Sequence, residues 1–312
     1  MNICNMSSVK IAKPRRRRLT FPTRSIYNDG GGEKMLVKAT REDLERYMDF
    51  AYAIALDPAR SGYPLFSDGV STREQFVHHV WTGYDSGDQE ILLFIANGTV
   101  EGWIQFLHIE TDRYLQTNGF LIRECAEQAM AEFREYARIH FAGCDLYWGF
   151  PKRNARAITY LQKMGCRLSE EAYHDIFIFD ETTTPAEPAG LVKVTDRNFS
   201  EFQRIHRVDP DAYWTSDRIH SALSEWMIYM LHRDGIALGY ICARDGDIFD
   251  LGYRSDAFDK DVYKALVSAI LRDYKAAGRG HVIFFNDERS QSAALELGFS
   301  CVGEYALFVE SL

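Results

Sequence analysis

Paired cysteines, long apolar runs and clustered metal ligands are all missing from this sequence of 312 residues. Its six cysteines lie singly, with no CxxC pair and no metal-ligand spacing to histidine. This pattern predicts free thiols in a reducing compartment such as the cytoplasm, and no bound metal. No apolar run approaches the roughly 18 residues that cross a bilayer. We therefore expect a soluble protein without a membrane partner.

Basic residues are scarce outside the first 34 positions, which hold eight of the 36 Lys/Arg and only two of the 45 Asp/Glu. From Met35 onward, 28 basic residues therefore face 43 acidic ones. A body this acidic repels phosphate backbones. We expect no nucleic acid as a partner, and a small cationic amine suits the charge better.

Residues 1–34 form a basic tail with the run Arg15 to Arg18, but no apolar segment follows it, which excludes a secretory signal peptide. A nucleic-acid-binding arm is one interpretation. The other is that the tail is not translated, because Gly30 to Lys34 before Met35 is what a purine-rich ribosome-binding site and a start codon encode. On that interpretation we expect Met35 to be the true start in a bacterial gene.

The length and one linker-like segment predict two domains. Single cores rarely grow past about 250–300 residues. Residues 181–190 read Glu-Thr-Thr-Thr-Pro-Ala-Glu-Pro-Ala-Gly, which has no apolar period and is typical of a linker. We predict one domain over residues 35–180 and a second over residues 191–312.

A strand, a short helix and a glycine follow one another in both predicted domains. The strand covers residues 146–150 in the first and 281–285 in the second. The glycine, Gly165 or Gly298, ends the helix. A β-rich segment comes next in each domain, over residues 173–179 or 305–309. We interpret this as one architectural unit used twice.

The repeated unit resembles the C-terminal half of the GNAT acyltransferase fold, where a strand leads into an Asn-x-x-Ala-x-x-x-Tyr-x-x-x-Gly-Phe helix beside coenzyme A. The first copy keeps Asn154, Ala157 and Gly165, while Tyr160 lies one residue early. The second copy keeps Gly298 and the Phe after it. The resemblance implies an α/β (α+β) protein of two tandem GNAT-like domains. Each would have a mixed, mostly antiparallel sheet flanked by helices and splayed between its fourth and fifth strands.

Acetyl-CoA is the acyl donor that this resemblance implies, yet both copies lack the glycine-rich pyrophosphate motif Arg/Gln-x-x-Gly-x-Gly/Ala of the family. The second copy has three aspartates over residues 254–261, which would repel phosphate. The first copy is the better donor site. There we place acetyl-CoA against Ile122, Arg123 and Asn154, with its pantetheine arm along residues 119–122. A solvated charge is the alternative role of Arg123.

The candidate catalytic groups also lie in the first copy. Glu110, or Glu101, would take the proton of the ammonium as general base, and Tyr160 would protonate the departing thiolate. Leu161 occupies the family's acid position, and one residue rotates a helical side chain by about 100°. Packing in the core is therefore the alternative role of Tyr160, and an ordinary surface carboxylate is the alternative for Glu110.

Tyr213 and Trp214 lie between the first two predicted helices of the second copy, where GNAT domains shape the acceptor pocket. We predict that they form an aromatic wall for the substrate. The alternative is a hydrophobic lid beside a helix that Thr215 or Ser216 caps.

Two functions follow from these features. The first is acetyl-CoA-dependent N-acetyl transfer to a small amine, with catalysis in the N-terminal copy and the C-terminal copy in support. The second is a GNAT-like binding or scaffold protein that has lost the cofactor site, which the missing glycine motifs favour and which the fold alone does not contradict.

Overall fold

The computed structural model of the chain describes residues 35–63, 66, 70–87, 89–183, 185, 186, 188–207, 213–255 and 257–312. The predicted basic tail lies outside the described residues. Contacts between Cα atoms divide the described chain into two units. The N-terminal unit comprises residues 35–171 and 304–312, and the C-terminal unit comprises residues 172–303. None of the helices described is both long and apolar enough to span a bilayer.

The described residues of the first half of the chain form six strands and four α-helices. Its elements are β1 (Leu36–Lys38), α1 (Arg41–Ala55), α2 (Arg73–Ser86), β2 (Gln89–Ala96), β3 (Thr99–Ile109), β4 (Tyr114–Ile122), α3 (Ala126–His140), β5 (Asp145–Pro151), α4 (Ala155–Lys163) and β6 (Arg167–Ile178).

The second half repeats this order after the predicted linker. Its elements are β7 (Leu191–Lys193), α5 (Phe199–Ile205), α6 (Ser216–Ser221), β8 (Met227–Arg233), β9 (Ile236–Arg244), β10 (Asp247–Tyr253), α7 (Lys260–Ala276), β11 (His281–Asn286), α8 (Gln291–Glu296) and β12 (Ser300–Ser311).

The sheets of the two units have the same strand order. In the N-terminal unit the order is β1-β2-β3-β4-β5 followed by residues 305–311 of β12. In the C-terminal unit it is β7-β8-β9-β10-β11 followed by residues 173–178 of β6. Only the fourth and fifth strands of each unit are parallel. The predicted pair of mixed, mostly antiparallel sheets is thus confirmed.

The final strand of each unit comes from the part of the chain that the sequence analysis assigned to the other domain. Residues 305–311 pair with β5 in the N-terminal unit, although the prediction placed them in a domain over residues 191–312. Residues 173–178 pair with β11 in the C-terminal unit, although the prediction placed them in a domain over residues 35–180. Both segments are β-rich runs after a glycine, so the local pattern contains no information about the partner strand.

Each of these strands has one buried carboxylate whose partners lie in the unit that the strand joins. Glu310 accepts hydrogen bonds from Arg134 Nε at 2.5 Å and from Trp148 Nε1 at 3.2 Å. Asp175 accepts one from Asn286 Nδ2 at 3.2 Å, and burial raises the pKa of its carboxyl group. An unpaired buried carboxylate is costly. These partners therefore favour the observed placement of both strands.

The two repeated glycines end their helices as predicted. The φ angle is 73° at Gly165 and 99° at Gly298, in the left-handed region that glycine adopts without steric cost. In both cases the amide after the glycine donates to the carbonyl five residues earlier, at 3.0 and 3.1 Å. This is the hydrogen-bond pattern of a Schellman motif.

The fourth and fifth strands of each unit pair only at their first residues and then diverge. In the N-terminal unit the parallel pairs run from Tyr114–Asp145 to Thr117–Trp148, yet β4 continues to Ile122. In the C-terminal unit only two pairs form, the last being Ile248–Phe284. A register shift against the third strand marks each divergence, at Asn118 in β4 and at Phe249 in β10. The predicted splay between fourth and fifth strands is confirmed in both units.

The observed strand assignment predicts which unit each core mutation destabilises. Phe308 lies in a core with α3, and Phe177 lies in a core with α7. Removing a buried phenylalanine side chain costs about 3–5 kcal/mol. We expect Phe308→Ala to accelerate amide hydrogen exchange in α3, and Phe177→Ala to accelerate it in α7. Faster exchange of α7 in the Phe308 variant would contradict the assignment.

Candidate functional site

The gap between the diverging strands β4 and β5 is filled by another segment of the same unit, Arg60 to Tyr63. On the β4 side, Gly62 N–H donates to Phe120 O at 2.8 Å, and Ile122 N–H donates to Arg60 O at 3.4 Å. On the β5 side, Tyr63 N–H donates to Gly149 O at 2.7 Å. The segment therefore hydrogen-bonds to both strands, along the stretch of β4 where the sequence placed the pantetheine arm.

The turn that follows α1 positions this segment. The side chain of Asp57 accepts from Ala59 N–H at 3.0 Å, and its carbonyl accepts from the amides of Arg60 and Ser61 at 3.0 and 2.9 Å. Pro58, which follows Asp57, disfavours continuation of the helix at the residue before it. The Asp57-Pro58 pair that follows α1 thus also directs residues 60–63 toward the sheet.

Two of the predicted cofactor residues, Ile122 and Asn154, contact this segment. Asn154 is 4% exposed and donates from Nδ2 to Ser61 O at 3.1 Å. Its Oδ1 caps α4 by accepting from Ala157 N–H at 3.3 Å. The structure therefore brings Ile122 and Asn154 together, but around a segment of the chain itself.

The third predicted cofactor residue, Arg123, is held by an acidic neighbour. Its guanidinium donates to both carboxylate oxygens of Glu101, at 2.8 and 2.7 Å. This bidentate contact lowers the pKa of the Glu101 carboxyl group. Glu101 neutralises the Arg123 guanidinium, which is then not free to bind a phosphate. The same contact engages Glu101, the second candidate base.

Glu110 does not lie near the other predicted site residues. It follows β3 at the hairpin end where Ile109 pairs with Tyr114, whereas Ile122 is at the opposite end of β4. Eight residues of strand at about 3.3 Å each separate the two ends by roughly 26 Å. Glu110 is exposed and cannot act as a base in a site that contains Ile122 and Asn154.

Tyr160 packs against the core of the N-terminal unit. Its pKa is raised, chiefly by burial, with smaller effects from Arg134 and Glu310. Glu310 pairs with Leu146, near the start of β5, while the gap opens at its end. Tyr160 is thus half-buried and packs against this core, as its alternative role predicts.

Polar side chains from two strands and from the end of α5 meet at the bulged strand β10 of the C-terminal unit. Asp250 follows the bulge at Phe249 and is 21% exposed. Its Oδ2 accepts from Tyr240 OH at 2.8 Å and lies 3.3 Å from His206 Nε2. Burial, followed by the charge of Asp250, raises the pKa of Tyr240 well above its usual value. The phenol stays protonated and donates to the carboxylate.

His206 is placed by the end of α5 and the start of α6. Its side chain is fully enclosed, and its Nδ1 lies 2.8 Å from Ser216 Oγ. The ring also stacks on Phe202 with a centroid distance of 4.7 Å. Nδ1 of His206 thus contacts Ser216, while Nε2 of the same ring lies beside Asp250, on the diverging strand, without making a hydrogen bond to a described residue.

Trp214, a predicted substrate residue, belongs to an aromatic cluster beside these groups. Its ring centroid lies 4.9 Å from Trp226 and 6.0 Å from Phe249, the residue at the bulge. The guanidinium of Arg244 lies 5.9 Å from the Trp214 ring and pairs with Glu225. The predicted aromatic wall therefore adjoins the strand that has Asp250.

Tyr213 lies at the outer side of this cluster. Its ring contacts Trp214 edge to face, with a centroid distance of 4.9 Å, and the Arg218 guanidinium lies 4.1 Å above it. Residues 209–212, the start of the sequence patch that contains Tyr213, lie outside the described residues.

The start of α7 already has an anionic group. The Asp259 carboxylate accepts from the amides of Asp261 and Val262, at 3.0 and 3.1 Å. The N–H groups of a first helical turn have no partner within the helix, and in other proteins such groups bind phosphate. In the N-terminal unit, by contrast, no side chain of the described residues caps the start of α3, which follows Cys125.

Sequence reasoning did not identify Asp250, Tyr240 or His206 as functional. Asp250 lies in a strand pattern that predicts only structure, and His206 is 44 residues away from it along the chain. The one available signal was position, because Asp250 is on the fourth strand of its copy, where the sheet was expected to open.

Solved structures with a similar fold include several GNAT proteins. A GCN5-related N-acetyltransferase from Sphaerobacter thermophilus has a TM-score of 0.60 at 14% identity, covering 88% of this chain and 95% of that chain. A tandem GNAT protein from the clavulanic acid biosynthesis pathway has a TM-score of 0.55 at 13% identity, covering 88% and 97%. A GCN5-related glucosamine N-acetyltransferase region of a fungal multi-domain GH3 β-N-acetylglucosaminidase has a TM-score of 0.55 at 9% identity, covering 88% and 38%.

No family model and no curated protein matches this sequence. At identities this low, the structural similarity establishes the fold but leaves the substrates undetermined. The repeated strand order and the two splayed strand pairs agree with the similarity over 88% of the chain. The chain therefore has the tandem GNAT fold.

Proposed function

We propose that this protein transfers an acyl group from a coenzyme A thioester to a small amine, and that its C-terminal unit provides the catalytic groups. The GNAT fold supports acyl transfer in general. The observation that supports this particular site is the Asp250 carboxylate on the bulged strand, in contact with Tyr240 and His206.

Asp250 has the position and chemistry of a general base. A primary amine is mostly an ammonium ion near neutral pH and must lose a proton before it attacks a carbonyl carbon. Both Asp250 contacts among the described residues involve Oδ2. We propose that Oδ1 accepts the ammonium proton, directly or through one water molecule. Tyr240 and the enclosed His206 hold the carboxylate in place as positioning residues.

The reaction forms one bond and breaks one. The free amine attacks the thioester carbonyl, so a C–N bond replaces the C–S bond. The nitrogen loses a second proton as the amide forms, and the departing thiolate takes up one proton and leaves as the thiol of coenzyme A. Phe249, next to Asp250, packs in a buried aromatic cluster with Trp214 and Trp226, which makes one flank of the proposed site apolar.

This proposal moves catalysis away from the N-terminal copy, where the sequence analysis placed it. There Glu110 is remote, Tyr160 packs in the core and residues 60–63 occupy the gap between β4 and β5. None of these contacts favours a thioester bound beside a base in that unit.

The second function, that of a binding or scaffold protein which has lost the cofactor site, has one observation in its favour. The Asp259 carboxylate occupies the first amides of α7, and a pyrophosphate at that place would meet a like charge. A binding or scaffold protein without acyl-CoA would have no use for those amides. The two functions differ in whether acetyl-CoA stabilises the protein.

Acetyl-CoA should raise the thermal stability of the full chain. A ligand that binds only the folded state at 100 times its dissociation constant adds about 2.7 kcal/mol. We expect a rise in Tm with acetyl-CoA that ATP at equal concentration does not reproduce. No shift up to millimolar acetyl-CoA would favour the binding or scaffold function.

Replacing the proposed base should abolish most turnover. General acid–base catalysis contributes about 10²–10⁴-fold, so we expect Asp250→Asn to lower kcat by that factor, measured as thiol release with a panel of small amines. Glu110→Gln and Tyr160→Phe are the matched controls, since both residues belong to the N-terminal unit. Loss of turnover in either control, with Asp250→Asn active, would return catalysis to the N-terminal unit.

A further inference from the structure

We infer that the segment Arg60 to Tyr63, here called the strap, is the permanent occupant of the acyl-donor groove of the N-terminal unit. The strap takes the place that a pantetheine arm would need beside β4. The N-terminal unit therefore binds no coenzyme A thioester and serves a structural role. This inference does not rest on the function proposed for the C-terminal unit.

The first argument is that the strap satisfies backbone groups on both sides of the groove. It accepts from Ile122 N–H, donates to Phe120 O, and donates to Gly149 O on the opposite strand. Buried backbone groups without partners are costly, and nearly all in folded proteins are paired. Withdrawal of the strap would leave three such groups without their present partners.

The second argument is the close fit between the strap and the sheet, which depends on one glycine in the strap and one in β5. A Cβ atom on Gly62 would lie 2.7 Å from Phe120 Cβ and 3.0 Å from a carbon of the Phe150 ring. A Cβ atom on Gly149 would lie 2.9 Å from the Tyr63 ring. The strap and β5 thus approach each other at distances that only glycine permits, which is expected of a packed interior rather than of a mobile lid.

The third argument is burial and side-chain anchoring. Ser61 is 2% exposed and Tyr63 is 3% exposed. The Tyr63 ring packs edge to face on Tyr305, with a centroid distance of 5.9 Å. Its φ angle of 43° is uncommon outside glycine and is retained where surrounding contacts impose it. Asn154, which the sequence suggested as a cofactor contact, holds the strap through the Ser61 carbonyl.

Hydrogen exchange on the full chain tests the inference through Asn154→Ser. Serine keeps an N-cap acceptor for α4 but is too short to donate to Ser61 O, so this variant weakens the strap alone. Loss of one hydrogen bond worth about 1.4 kcal/mol predicts about tenfold faster exchange of the Gly62 and Tyr63 amides. The amide of Ile104, in the centre of the sheet, is the internal reference and should not change.

The wild-type protein gives the decisive comparison with acetyl-CoA. We expect the Gly62 and Tyr63 amides to exchange slowly and at the same rate with and without millimolar acetyl-CoA. Calorimetry should find at most one equivalent bound per chain. Deprotection of these amides by acetyl-CoA, or two equivalents bound, would overturn the inference. Zero equivalents would support it and contradict the proposed function instead, so the two outcomes are distinguishable.

Discussion

The divergence of the fourth and fifth strands is the constraint on which both units depend. Two parallel strands that separate after two or four residue pairs leave a row of backbone amides and carbonyls with no neighbouring strand. In the N-terminal unit the chain supplies the partners itself, through residues 60–63. In the C-terminal unit the same divergence displays Asp250 next to Tyr240 and the enclosed His206. One architectural feature therefore has two outcomes, a filled groove in one copy and a cluster of polar groups in the other.

The two copies have separated features that a single active domain would combine. The start of α3 has no side-chain cap among the described residues, but the groove beside β4 is occupied. The start of α7 has the Asp259 carboxylate on its first amides, but the adjoining strand has the Asp250 carboxylate and Phe249, which packs in an aromatic cluster. A repeated domain allows such a division, because the two copies need not share the same role.

The placement of the final strands affects how the chain folds. The N-terminal unit needs residues 305–311, the last strand to be made, before β5 has its second neighbour. Glu310 then meets Arg134 and Trp148, and Asp175 meets Asn286 in the other unit. Since a buried carboxylate without its partners is destabilising, these contacts discriminate between two segments of similar apolar pattern. We expect the N-terminal unit to complete its core only after residues 305–311 have been synthesised.

The sequence by itself determined the elements, the repeat and the class of fold. The apolar periods, the glycines at 165 and 298 and the Asp-Pro pair after the first helix are local signals, and each acts within a few residues. Tertiary structure alone decided which strand completes which sheet, that Asn154 and Ile122 contact residues 60–63, and that His206 meets Asp250. Those contacts join residues that are 44 or more positions apart along the chain. The separation of Glu110 from Ile122 is a different case, because these two residues are close in sequence but far apart in the structure. There the error was one of distance along a strand, since 12 residues around a hairpin place the two at opposite ends. Local patterns specify secondary structure, whereas the site depends on register and packing between distant segments.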